Sequence, residues 1–108
     1  MFSYEEIENM HDFKYKNAQF YCEQVRIADI ADKVSTPFYL YSYSTLLGHF
    51  HKLEKAFRAL SPVICYSMKA NSNLAILRAL VKAGSGLDIV SGGELYKALL
   101  VGCDPKKI

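Results

Sequence analysis

Cys65-Tyr66-Ser67-Met68-Lys69-Ala70-Asn71-Ser72-Asn73 is the stretch that decides the fold. It belongs to an apolar run that begins at Val63 and stops abruptly on one lysine, Lys69. A turn follows, and a helical pattern then opens at Leu74. A continuous apolar run, unlike an alternating one, suits a parallel strand covered on both faces. A single amine at the C-terminal mouth of such a strand is placed for carbonyl chemistry. Apolar walls disfavour the ammonium form and free the lone pair for attack on an aldehyde. The loop ends of parallel strands are also where such folds collect their chemistry. Taken alone, the pattern leaves a second reading open, a solvated lysine at a strand end.

Downstream, Asn73 is placed to cap a helix whose Leu74, Leu77, Leu80 and Val81 face inward, and Gly84 sits where a left-handed C-cap is wanted. Leu87 to Val90 reads as a second short strand. Ser91 opens a further helix carrying Leu95, Ala98 and Leu99 and ending near Gly102. Strand, helix, strand, helix implies parallel pairing with a right-handed crossover. Upstream, Leu46, Phe50, Leu53, Phe57 and Leu60 step by four and three along one apolar stripe. Ser44 is the expected N-cap of that helix, and Ser61-Pro62 its stop. Phe38 to Ser42 is β-prone and aromatic and is expected to be a strand. Ile27, Ile30, Ala31 and Val34 mark a short helix ended by Ser35-Thr36-Pro37, and Phe13 to Val25 reads as two short strands around a turn. Met1 to Met10 is acidic and is expected to be a frayed tail, or a leader before a true start at Met10.

Composition narrows the class. The chain has 108 residues, 51% hydrophobic and 22% charged, an ordinary globular mixture with room for one core. A net charge of +2, with Lys106-Lys107 the only adjacent basic pair, gives no nucleic-acid footprint. Cys22, Cys65 and Cys103 are odd in number and lack Cys-x-x-Cys spacing, so they read as reduced thiols of a cytoplasmic protein. No apolar stretch approaches the roughly 18 residues of a membrane span. Glu5, Glu6 and Glu8 stand where a secretory signal is basic and then apolar. His11, His49 and His51 have no metal-ligand spacing, and no metal is expected.

Tyr66-Ser67-Met68-Lys69-Ala70-Asn71 resembles the Tyr-Ala-x-Lys-Ala-Asn segment of the diaminopimelate, ornithine and arginine decarboxylase family. Asp88-Ile89-Val90-Ser91-Gly92-Gly93-Glu94-Leu95 is similar to that family's second conserved block. The likeness runs from about His11 to Ile108, and the wording of both blocks fits the diaminopimelate branch best. The resemblance implies an α/β fold: the N-terminal part of a pyridoxal-phosphate-binding (β/α)8 barrel with two βα units present. Residues 1–36 would hold strands of the family's β domain and a linker, and residues 37–108 the start of the barrel. A closed barrel takes about 250 residues, so the chain is expected to be a fragment, inactive by itself. The implied reaction of the full-length enzyme is decarboxylation of meso-2,6-diaminopimelate to L-lysine by a cytoplasmic homodimer. Related decarboxylases of ornithine, arginine or carboxynorspermidine, and a non-catalytic barrel homologue, are the alternatives.

The resemblance makes Lys69 the Schiff-base lysine for pyridoxal 5′-phosphate, with Asp88 close to that linkage as a catalytic and cofactor-binding residue. A carboxylate there would favour a protonated nitrogen by opposite charge; the plainer reading of Asp88 is a strand terminator. Glu94 lies near the cofactor by the same likeness. Ser91-Gly92-Gly93-Glu94 is also a capping box, which accounts for Glu94 on its own. Asn71 and Asn73 are expected to shape the turn, and Tyr66 to sit in the core. The family's phosphate glycines, its ring-stacking histidine, its pyridine-nitrogen carboxylate and its β-domain cysteine all belong downstream of Ile108.

Overall fold

The computed structural model describes all residues except Phe2, Tyr4, Glu5 and Glu8. The expected acidic tail rests partly on Glu5 and Glu8, which lie outside the described residues. Ser3 and Glu6 are more ordered than a frayed tail: the Ser3 amide donates to Glu6 Oε2 (2.7 Å), and the Glu6 amide donates back to Ser3 Oγ (3.2 Å). The chain packs as two units, Met1–Gly48 and His49–Ile108.

In the first unit, β1 (Phe13–Lys16), β2 (Gln19–Cys22) and β3 (Val25–Arg26) form an antiparallel meander in that order. Asn17 and Ala18 both take positive φ, 50° and 60°, which makes the two-residue hairpin turn that suits strand twist. Directly opposed Tyr15 and Phe20 stack with ring centroids 4.6 Å apart. Helix α1 (Ile27–Val34) follows as the spacing predicts and stops at Ser35.

Phe38 to Ser42 does not form the expected strand. A strand exists only through ladder hydrogen bonds, and none of the described strands pairs with this segment. Helix α2 (Tyr43–Phe57) then opens one residue before the expected cap. Ser42, not Ser44, is the cap, its Oγ accepting from the Thr45 amide at 3.0 Å. Glu23, in the turn between β2 and β3, adds a second acceptor. Its Oε1 takes the Ser44 amide (2.8 Å) and the Ser42 hydroxyl (2.9 Å), and those bonds lower the Glu23 pKa. Past Phe57 the helix tightens to a 3-10 turn, Arg58–Leu60, and ends at Ser61 in the left-handed region.

The second unit holds the βαβα run: β4 (Cys65–Ser67), α3 (Leu74–Lys82), β5 (Gly86–Asp88) and α4 (Gly92–Leu100). Both strands are shorter than the apolar runs that announce them. They pair in parallel, with Cys65 opposite Gly86, Tyr66 opposite Leu87 and Ser67 opposite Asp88. Met68, Leu77, Leu87, Ala98 and Cys103 form the buried core, flanked by Tyr66, Leu74, Val81, Ile89, Val101 and Ile108. The cover expected on both sheet faces is found on one: Cys65 and Asp88 are exposed. Leu95 and Leu99 of α4 are exposed as well, and only Ala98 of that helix is buried.

Asn73 caps α3 as expected, accepting from the Ala75 amide at 2.9 Å. Both helices end alike. The Gly84 amide bonds Val81 O and the Ser85 amide bonds Leu80 O; the Gly102 amide bonds Leu99 O and the Cys103 amide bonds Ala98 O. This paired closure needs a residue at positive φ, and Gly84 (107°) and Gly102 (80°) supply it. Each turn sends the chain straight back into the core through buried Ser85 and Cys103.

Gly86 is required for a different reason. A Cβ there would lie 2.5 Å from the Lys107 carbonyl oxygen and 2.6 Å from Cys65 Sγ. Backbone on one side and a strand neighbour on the other leave it nowhere to go. Gly86→Ala is expected to destabilise the fold by about 1–3 kcal/mol, the usual cost of overpacking a tight site. Urea unfolding would read this as a lower midpoint at unchanged slope; an unchanged midpoint would mean that the Lys107 turn yields freely.

Candidate functional site

The site grows out of the end of β4. Side chains alternate across a strand, so Tyr66, Met68 and Leu87 turn to the helices while Ser67 and Asp88 share the opposite face. The Met68 amide donates to Asp88 O at 3.0 Å, extending the ladder one bond past the strands. Lys69 follows at once, at the C-terminal end of the parallel pair.

The loop carrying Lys69 is tied down on every side. The Ala70 amide donates to Ser67 O (3.1 Å), the Tyr66 hydroxyl to Asn71 O (3.2 Å), and the Asn73 amide to Asn71 Oδ1 (3.0 Å). From α4, Lys97 reaches across, its Nζ donating to Ser72 Oγ (2.8 Å) and lying 3.4 Å from Ser72 O. Lys69 itself is exposed, and among the described residues it makes no hydrogen bond or ion pair. The backbone is held and the amine is left available.

Asp88 is exposed on the same sheet face. Its Oδ2 accepts from the Ser67 hydroxyl at 3.1 Å, and its Oδ1 has no partner among the described residues. Glu94 lies in the cap of α4: its amide donates to Ser91 Oγ (3.2 Å), and its Oε2 accepts from the Val90 amide (2.7 Å). The capping box therefore forms with its carboxylate reaching one residue further back than the Ser91 amide. Asn71 and Asn73 shape the turn, and Tyr66 packs against the core, as the sequence implies.

Ser67 and Lys97 were not among the candidates. Ser67 was legible: it stands two before Lys69, at the end of the strand, paired directly with Asp88. Lys97 carried no signal, because its bond to Ser72 joins residues 25 positions apart. The thiols of Cys22 and Cys103 are buried, and burial pushes both up from the ordinary range. Among the described residues no group of three His, Cys, Asp or Glu side chains is placed to hold a metal, and no helix is long and apolar enough to cross a membrane.

Residues 44–108 match the family model for the pyridoxal-dependent decarboxylase, pyridoxal binding domain. The chain belongs to that family. Over 100 residues the chain is 46% identical to a diaminopimelate decarboxylase of Vibrio cholerae, a match covering 92% of the chain and 24% of that protein. Over 87 residues it is 47% identical to a diaminopimelate decarboxylase of Neisseria meningitidis serogroup B, covering 81% and 21%. Its backbone matches the crystal structure of diaminopimelate decarboxylase from m. jannaschi with a TM-score of 0.86 at 35% identity, covering 90% of this chain and 24% of that one. The chain thus spans about a quarter of the length of these relatives, and its fold is that of the corresponding α/β quarter.

The residues present fit the family's cofactor. Pyridoxal phosphate carries an aldehyde, and Lys69 offers an exposed amine with no partner among the described residues, on a loop held by hydrogen bonds. Asp88 offers a carboxylate oxygen without a partner among the described residues at the same end of the sheet.

Proposed function

We propose that the full-length enzyme carrying this chain removes a carboxylate from meso-2,6-diaminopimelate to give L-lysine. The observation that carries this reading is the free amine of Lys69 at the end of β4, beside the strand position that holds Asp88. Similarity to relatives named diaminopimelate decarboxylase supports the choice of substrate. When bound, pyridoxal phosphate supplies an electron sink for the pair left behind as carbon dioxide departs. Lys69 would hold that group through its amine. Asp88 stands by as the carboxylate that favours positive charge on that nitrogen. Glu94 holds the α4 cap in shape on the cofactor side of β5. Residues 1–36 contribute to a β domain and residues 37–108 open the barrel. The resemblance supports a homodimer in the cytoplasm.

The test is carbon dioxide release by the full-length enzyme with pyridoxal phosphate added. Turnover of meso-diaminopimelate is expected to exceed that of ornithine and arginine in kcat/KM by at least about two orders of magnitude, as a site built to pair with a distal polar group should. A preference for ornithine or arginine would replace the substrate. Failure with all three would leave a binding protein.

A further inference from the structure

Asp88 has one side-chain partner among the described residues, Ser67, to which the role proposed for Asp88 gives no task. The Ser67 hydroxyl donates to Asp88 Oδ2 at 3.1 Å, across a register in which the two residues are directly opposed. Ser67 has a single rotatable bond before its oxygen, and the parallel pairing on either side fixes its backbone: Gly86 N–H donates to Ile64 O, and Met68 N–H to Asp88 O. The donor is thus held by the sheet and not by a flexible arm. An aspartate with both oxygens free turns about its side-chain torsions. One with Oδ2 pinned presents Oδ1 in a fixed direction. Lys69 leaves β4 two residues beyond Ser67, so the pinned carboxylate and the amine share the same end of the sheet.

We infer that Ser67 is a positioning residue, whose hydroxyl orients the Asp88 carboxylate toward the nitrogen that Lys69 brings to the cofactor. The inference rests on the role proposed for Asp88 above. Ser67 touches neither reacting atoms nor cofactor in this account; it acts through Asp88 alone.

A double-mutant cycle in the cofactor-loaded full-length enzyme tests this. Asp88→Asn is expected to slow turnover by about tenfold or more, in line with acid–base effects. Ser67→Ala is expected to lower kcat by about three- to tenfold, the worth of one ordinary hydrogen bond, with KM changed less than about twofold. In the Asp88→Asn background, Ser67→Ala should change kcat by less than about 1.5-fold, because the acting group is already gone. Ser67→Thr, which keeps the hydroxyl, should restore most of the loss. The readout apart from activity is the visible spectrum of the bound cofactor: Ser67→Ala should move it part of the way toward the spectrum of Asp88→Asn. Equal losses in both backgrounds, or a spectrum unmoved by Ser67→Ala, would overturn the positioning role while leaving Asp88 in place. An Asp88→Asn enzyme with unaltered turnover and spectrum would instead remove the reading of Asp88 on which this one stands.

Discussion

Borohydride reduction of the cofactor-loaded enzyme carrying this chain is expected to fix the pyridoxyl group on the peptide that contains Lys69, and Lys69→Ala is expected to abolish turnover. The reason is the division of labour at the end of β4. Tyr66, Asn71, Asn73 and Lys97 hold the loop through four hydrogen bonds that do not involve the Lys69 side chain. That side chain is exposed and makes no hydrogen bond or ion pair among the described residues, so truncating it should change unfolding by less than about 0.5 kcal/mol, as for surface substitutions elsewhere. The loss of activity would then be chemical and not structural. An adduct on Lys52, Lys55 or Lys82 would refute the assignment. Those three are exposed lysines on α2 and α3.

How far the sequence could be read depended on the range of the interaction. Local signals were legible. Asn73 and the Ser91–Glu94 pair are caps whose partners lie within four residues, and both formed. Gly84 closes α3 as a residue with positive φ must. The stripe from Leu46 to Phe57 and the apolar runs at β4 and β5 gave the order of elements and their parallel pairing. Ser42 as a cap was harder to see, because part of what caps the start of α2 comes from Glu23, nineteen residues earlier than Ser42. The aromatic run Phe38 to Ser42 has strand propensity but no partner, and propensity alone makes no ladder. In the site, Lys69 stood out as the one amine at the end of an apolar strand, and the family likeness gave it and Asp88 their roles. The bond between Lys97 and Ser72 depends on how α4 lies over the loop, and no spacing rule contains that.

A polypeptide of residues 1–108 alone is expected to release no carbon dioxide from diaminopimelate and to associate in solution. Helix α4 gives the clearest reason. Its Leu95, Tyr96, Leu99 and Leu100 are 41%, 68%, 50% and 49% exposed, and Ala98 is its one buried residue. A broad apolar face that is this exposed is built to be covered. The sheet makes the same case. β4 and β5 are three residues each, and among the described residues they pair with one another and with no other strand, so each keeps an outer edge. Two paired strands are marginal without further strands or helices to cover them, and bare edges recruit other chains. Val63 and Val90, just outside the two strands, are 63% and 70% exposed and enlarge the apolar surface. The relatives are about four times as long as the region they share with this chain, which leaves ample sequence to provide that cover in a full-length enzyme. Without it, Lys69 stands in bulk water with no wall to shield a bound aldehyde, and any attachment would be weak and unselective. Sedimentation should show species heavier than the 12.2 kDa monomer. Added pyridoxal phosphate should give no saturable release of carbon dioxide. A monodisperse monomer with stereoselective turnover would mean that these 108 residues close a site by themselves, and the exposed face of α4 would then need another purpose.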